Sequence, residues 1–255
     1  MAGQQDEDAD SRSLWFNPPD GGESSRRALT RERLVAEALA VISTDGAQAL
    51  SMRALARRLG VVPGALYRHV RSKEQLHDLI LDAVLAEVDC RADPALPSIA
   101  QVAMLAHRLR AVLENHPGIA ALLKTRDPLS PASLALAEAF LAPLHAAGLP
   151  GRQAALAFRL IYDYTLGFAL AGPASPAEQR LGDSAARQQL HAFIRALPAS
   201  SFPTLAAHGT HAWADDREER FTSGLDTLIR GLQTAQHHGA GQLAEMSPSG
   251  PDLAR

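Results

Sequence analysis

The sequence predicts an all-α protein, and three observations carry that expectation. Alanine and leucine dominate while valine and isoleucine are sparse, a balance that favours helix over strand. Apolar residues recur at three- and four-residue spacing, and alternating period-2 runs are hard to find. Several segments also open on Ser or Thr and close near Gly, which is helix punctuation. With 255 residues, 46% of them hydrophobic, the chain can bury a core as one large domain or two small ones.

Residues 1–28 are polar and acidic, carry "NPPDGG" at Asn17–Gly22, and lack periodicity, so they are expected to be disordered. The Leu14-Trp15-Phe16 cluster within them is an exception that suits docking on the folded body. From Thr30, a plausible N-cap, the stripe Leu34, Val35, Ala38, Leu39, Val41 and Ile42 predicts a helix that ends at Asp45-Gly46. Ser51 caps a short second helix, "MRALARRL", closed by Gly60. A third opens at Pro63, where the missing N–H of a first-turn residue costs nothing. Ser72 caps a fourth, with Ser72-Lys-Glu-Gln75 in the capping-box pattern, continuing through Leu76, Leu79, Ile80, Ala83 and Val84 to about Asp89. After the connector Arg91–Pro97, helices are expected at Ser98–Asn115, Pro117–Lys124, Ser130–Ala147 and Arg152–Ala171. A weaker helix over Ser175–Leu197 is interrupted by Gly182, and 198–213 is expected to be irregular. A strong last helix spans Asp215–Gln236, and the tail from His237 is expected to be disordered. No internal repeat is present.

The charge is unevenly spread. Residues 1–25 carry six acids against one Arg, residues 26–76 carry ten Arg or Lys against four acids, and the whole chain is −3. One compact basic segment in an otherwise acidic chain suits a polyanion partner, though a solvated basic face has the same composition. Two short helices joined by a Gly-containing turn lie inside that segment, and they fit either a helix-turn-helix or a plain helical hairpin. In a helix-turn-helix the steep crossing needs a small residue on the first helix, a turn residue tolerant of positive φ, and an apolar residue returned by the second helix. Ala56, Gly60 and Leu66 meet those demands, with Leu55, Leu59, Val61 and Val70 filling the remainder.

The stretch "LTRERLVAEALAVISTDGAQALSMRALARRLGVVPGALYRHVRSKEQLHDLILD", Leu29–Asp82, strongly resembles the N-terminal domain of the tetracycline-repressor (TetR) family. Its most specific pieces are "ALARRLGV", "LYRHVRSKEQL" and Gly46 ahead of "ALSMR". "LENHPGIAALL", "HAAGL" and "FTSGLDTLIRGL" resemble the ligand-binding and dimerisation half of the tetracycline-repressor-like subgroup, more loosely, and the resemblance covers about 30–236. It implies a DNA-binding domain over 29–75 and a ligand-binding, dimerising domain over 76–236, followed by a tail over 237–255.

In such a motif the recognition helix enters the major groove by its N-terminal end, which places Val62, Pro63, Gly64 and Ala65 at base edges. None offers a bidentate side chain, so readout there rests on apolar contact with thymine methyls and on the close approach Gly64 allows. Hydrogen bonding to a guanine falls to Arg53, beside Met52 at the start of the second helix, or to Arg68, with phosphate binding as the competing role. The resemblance implies phosphate contacts for Tyr67 and for Lys73, one of only two lysines in the chain. Thr30 and Ser51, each capping a helix, suit the same task. Half-buried packing is the alternative for Tyr67, and helix support without DNA contact the alternative for His69.

One such module reads few bases, so two copies on a palindrome of double-stranded DNA are expected. The helices 152–171 and 215–236 are the candidate homodimer seam, with Gly167, Gly224 and Gly231 permitting close approach and Phe221, Leu225, Leu228 and Leu232 supplying apolar area. The resemblance further implies a small-molecule effector between the helices of the second half. Met104, Leu105 and His107, Phe140 and Leu144, and Phe158, Tyr162, Tyr164 and Phe168 are the candidate wall, with Asp163 and His107 as orienting polar groups; core packing accounts for the same residues.

Other classes find little support. No stretch of 18 apolar residues suggests a membrane span, and the acidic N-terminus does not read as a secretory signal. The single Cys90 excludes an internal disulfide framework and fits a reducing, cytoplasmic compartment. The ten histidines, His208/His211 and His237/His238 among them, lack a Cys or carboxylate cluster at ligand spacing, so no metal or other cofactor is expected. No nucleophile–base pattern, phosphate loop or paired carboxylates suggest an enzyme. The expected function is a ligand-responsive repressor. An effector-independent DNA-binding or protein-binding dimer is the alternative, and an enzyme acting on the small molecule a further one.

Overall fold

A computed structural model of the chain describes residues 29–126, 129–171, 184–212 and 217–245. Among the described residues it contains eleven α-helices, one 3₁₀ turn and no strand. The helices are α1 (Arg31–Asp45), α2 (Met52–Leu59), α3 (Pro63–Leu66), α4 (Lys73–Leu85), α5 (Ser98–Asn115), α6 (Ile119–Thr125), α7 (Pro131–Ala146), α8 (Gly151–Leu170), α9 (Ser184–Arg195), α10 (Pro203–Ala212) and α11 (Arg217–Glu245). By its internal contacts the chain divides into two compact units, Met1–Leu170 with Leu228–Arg255, and Ala171–Thr227.

In the larger unit, α1 packs on α2 and α4, α2 on α3, and α5, α7 and α8 on one another. Helix α4 is shared: it packs on α1 and also on α5, α6 and α7. The reason is in its sequence. Leu76, Leu79, Ile80, Leu81, Val84 and Leu85 are all buried and reach around most of the helix, so it needs apolar partners on more than one side. A second join lies at Gly118, ahead of α6. Its φ is +89°, and a Cβ there would sit 3.0 Å from the Cγ2 of Ile42 on α1, so both backbone and space demand glycine.

Four helix starts follow caps that the sequence announces. The hydroxyls of Thr30, Ser51, Ser72 and Ser130 accept backbone N–H bonds from Arg33, Ala54, Gln75 and Ser133. The capping box expected at Ser72 is displaced by one residue. The Gln75 Oε1 accepts the N–H of Arg71 at 2.6 Å, which secures the turn before α4. Other parts of the chain depart from expectation or sharpen it. Helix α3 is a single turn, and α4 ends regularly at Leu85 before a looser turn to Val88. Residues 203–212, expected to be irregular, form α10, packed on α9. Gly209 there is a packing position: a Cβ would stand 2.8 Å from Ile194 and 2.9 Å from Leu205, so the glycine makes room for these side chains. The last helix also continues beyond Gln236, through the expected tail, to Glu245. Gly239 and Gly241 weaken this stretch without ending it, and the first proline lies further on, at Pro248. The N-terminal segment 1–28, Gly182 and residues 246–255 lie outside the described residues.

Candidate nucleic-acid interface and effector site

The interface is built around a closed junction. Leu66 and Leu55 are fully buried, Ala56 and Val70 nearly so, and they fill the angle between α2 and α3. Gly60 makes the turn in the left-handed region at φ 69°, and the N–H of Val61 donates to the carbonyl of Ala56 at 3.0 Å. Packing this corner leaves α3 with its first turn pointing outward. Val62 is 71% exposed, Pro63 and Gly64 are exposed, and so are Tyr67 and Arg68 just beyond α3 and Arg53 in the first turn of α2.

Two residues placed on the DNA face by sequence are turned inward. Ala65 is 7% exposed, because a one-turn helix has one inner side and Ala65 shares it with Leu66. Met52, the first residue of α2, is likewise buried and adds to the core. Apolar readout is thus left to Val62, Pro63 and Gly64. His69 is half-buried, and its carbonyl accepts from the Arg31 Nε at 3.4 Å, which ties the end of the reading turn to α1. Lys73 is half-buried as the first residue of α4.

The helix caps differ in what they leave for a phosphate. The Thr30 and Ser72 hydroxyls serve the carboxylates of Glu32 and Glu74, whose pKa values are held down first by backbone N–H bonds and then by those hydroxyls. An acid beside a cap repels phosphate. Ser51 heads a helix with no acid in its first turn, which makes it the better phosphate donor of the two caps expected to act so.

Polar contacts invisible to periodicity fix α4 to the segment leading into α7. Asp78, buried among apolar neighbours, accepts from Arg126 Nε at 3.0 Å and Nη2 at 2.8 Å. Asp82 Oδ1 accepts the N–H of Ala132 in the first turn of α7 at 2.9 Å, a favourable place for a negative charge. His77, the residue before Asp78, is partly buried, and desolvation first, then Lys73 and Arg126, push its imidazole below the usual histidine range. Further along, His116 Nε2 meets Glu87 Oε2 at 2.8 Å. The signal available in the sequence was an acid, Asp78, set inside an apolar stripe.

The expected effector wall divides. Phe140 is fully buried on α7; its ring lies 5.7 Å from Phe158, which lies 5.8 Å from Tyr162. Tyr164 and Phe168 form a separate pair at 5.3 Å, about a third of a turn around α8, with the buried Arg110 guanidinium 5.9 Å from the Phe168 ring. Arg110 Nε donates to Glu114 at 2.9 Å, and burial raises the Tyr164 hydroxyl above its ordinary pKa. Met104 and His107 are half-buried on α5, while Leu105 and Leu144 are core. Asp163, expected to orient a ligand, is on the exposed side of α8, paired with Arg159 at 3.4 Å. One residue beyond Tyr162 in a helix is more than a quarter-turn away, which removes it from the aromatic group.

The expected seam residues also separate by burial. Phe221 and Leu225 are buried within the single chain, whereas Gly224, Leu228 and Leu232 are half-buried. On α8, Leu156 and Leu160 are exposed at 55% and 45% and share an outer strip with Gly167, around whose missing Cβ nothing lies within 4 Å. The two leucines were not among the expected contacts; their one-turn spacing with each other was the available signal.

Comparison with known proteins places both regions. Residues 34–79 match the profile of bacterial regulatory proteins of the tetR family, and residues 93–236 match that of the tetracyclin repressor-like C-terminal domain. An HTH-type transcriptional regulator of Saccharopolyspora erythraea is 31% identical over 220 residues, covering 86% of this chain and 91% of that protein. The tetracycline repressor protein class G of Vibrio anguillarum is 30% identical over 210 residues, covering 80% and 94%. Among solved structures, ActR from Streptomyces coelicolor in complex with actinorhodin superposes with a TM-score of 0.71 at 31% identity, covering 82% of this chain and 99% of that one. Among the described residues no helix is long and apolar enough to cross a membrane.

Proposed function

This chain belongs to the TetR family of bacterial transcriptional regulators, and on that premise we propose that it is a repressor whose two copies hold a palindromic operator and release it when a small molecule enters the C-terminal body. It is a DNA-binding regulator with a ligand-binding C-terminal domain. The observation that carries the proposal is the exposed first turn of α3 on a buried corner, with Arg53, Arg68 and Tyr67 exposed as well. The DNA-reading part is 29–75 and the effector-binding, dimerising part 76–236. Arg53 or Arg68 reads a guanine, and Ser51, Tyr67 and Lys73 hold the backbone. The effector rests between α5, α7 and α8, near Phe140, Phe158 and Tyr162. It acts by binding one state of the body more tightly than the other, with α4 carrying the difference to the reading helices. Such a regulator works in the cytoplasm, beside the DNA, and no catalytic step is required of it.

Lys73→Ala tests the phosphate contact. Binding to all sequences should weaken together, and the slope of log K against log salt should become shallower by about one unit per half-site. Titration at several salt concentrations reads this directly; an unchanged slope refutes the contact.

For the dimer, the outer strip of α8 offers two exposed leucines beside an open glycine, which suits close approach of a second α8. Leu160→Glu places a charge in that seam. Sedimentation of the wild-type chain at micromolar concentration should give a dimer and that of the variant a monomer. A variant that sediments as wild type would move the seam elsewhere.

A further inference from the structure

Gly64 has no reason inside the chain to be glycine. Its φ is outside the left-handed region, and a Cβ built on it would meet nothing within 4 Å. The contrast with Gly118 and Gly209 is direct, since there a Cβ meets the neighbouring side chains Ile42, or Ile194 and Leu205, at 2.8–3.0 Å. Glycine within a helix is less favourable than alanine, so the fold alone would prefer a side chain at this position. Gly64 thus leaves room for something outside the chain to approach the first turn of α3 closely.

The surroundings indicate what that is. Gly64 follows Pro63 and Val62, the latter at 71% exposure the most exposed large apolar side chain of the described residues. Neither carries a hydrogen-bonding side chain, and Ala65 is turned into the core. Three consecutive residues at the tip of a reading helix therefore present an apolar surface with a notch where a methyl group is missing. The only apolar projection on a base edge in the major groove is the thymine C5-methyl.

We propose that Gly64 is a specificity-determining residue: the space that its missing side chain leaves beside Pro63 admits a thymine methyl, so that this position of each half-site is read by shape rather than by hydrogen bonds. The proposal rests on the DNA-binding reading above and adds to it the identity of a base and the residue that selects it. An alanine at 64 would fill the notch and hold the helix tip away from the groove.

The experiment uses the full chain and a duplex enriched by it from a random-sequence pool. Each thymine of the enriched half-site is replaced in turn by deoxyuridine, which lacks only the methyl, and affinity is measured by fluorescence anisotropy. For the wild type, loss should concentrate at one thymine per half-site, about fourfold for each methyl removed. Gly64→Ala should bind the enriched duplex at least tenfold more weakly, respond equally to thymine and deoxyuridine at that position, and melt no lower than wild type. Val62→Ser, which leaves the notch open, should lose the deoxyuridine effect with a smaller loss of affinity. Uniform tolerance of deoxyuridine by the wild type, or full affinity of Gly64→Ala, overturns the proposal while leaving the regulator reading in place. Enrichment of no preferred sequence overturns both.

Discussion

Arg126→Ala is expected to lower the stability of the chain by about 3 kcal/mol, the low end for breaking a buried ion pair. The Asp78 carboxylate is buried and receives two bonds from the Arg126 guanidinium, at 2.8 and 3.0 Å. Removing the arginine leaves a charge in an apolar setting without its principal counter-charge. The low end of the range applies because the Arg126 side chain keeps 28% of its exposure and water enters readily beside it. A shift of roughly 6–12 °C in melting temperature corresponds to this cost for a chain of this size. Replacing both members, Asp78→Leu with Arg126→Met, should recover much of the loss, since two packed apolar side chains avoid desolvating either charge. Operator affinity should fall in Arg126→Ala even at temperatures where it remains folded, because the contact seats α4, whose first residue is Lys73. A melting temperature within 2 °C of wild type would mean that the pair contributes little to holding α4.

Phe140→Ala is the second large effect, with an expected cost of about 3–5 kcal/mol for emptying a fully buried aromatic site. The ring is fully buried on α7 and touches Phe158 on α8, which in turn touches Tyr162. Loss of the ring unsettles the whole aromatic group, so the variant should also fail to release DNA when an inducing compound is added. Phe140→Leu should cost less in stability and retain part of the response. Chemical denaturation measures the first quantity and operator release the second. A stability loss under about 1 kcal/mol for the alanine variant would show that the ring borders open space and contributes little packing, and would place the effector directly against it.

Much of this architecture was readable from local signals. Ser51, Ser72 and Ser130 announced their helices, and Gly46 and Gly60 ended theirs, because caps act through hydrogen bonds within a few residues. The corner of Ala56, Gly60 and Leu66 was readable because its steric demands fall at fixed spacing. What escaped was set by tertiary contact. Helix α10 forms where sequence suggested none, since its glycine admits Ile194 and Leu205. Ala65 and Met52 turn inward because α2 and α3 are so short that a position's orientation is decided by the corner they enclose. The aromatics of α8 clustered in sequence yet divide in space, because spacings of two and six residues do not share a helix face while spacings of four do. Asp78 with Arg126 could not be found from either residue alone, as 48 positions separate them.

The central claim is that the chain reads DNA sequence through the exposed tip of α3, as a pair of copies. The most direct test is titration of the full chain into a duplex it has enriched from a random pool, beside a scrambled duplex of the same composition, at physiological salt. The account predicts an inverted repeat bound by two chains at a Kd of about 10⁻⁸ M or tighter, at least ~10³-fold below that for the scrambled duplex. Equal affinity for the two duplexes would contradict it.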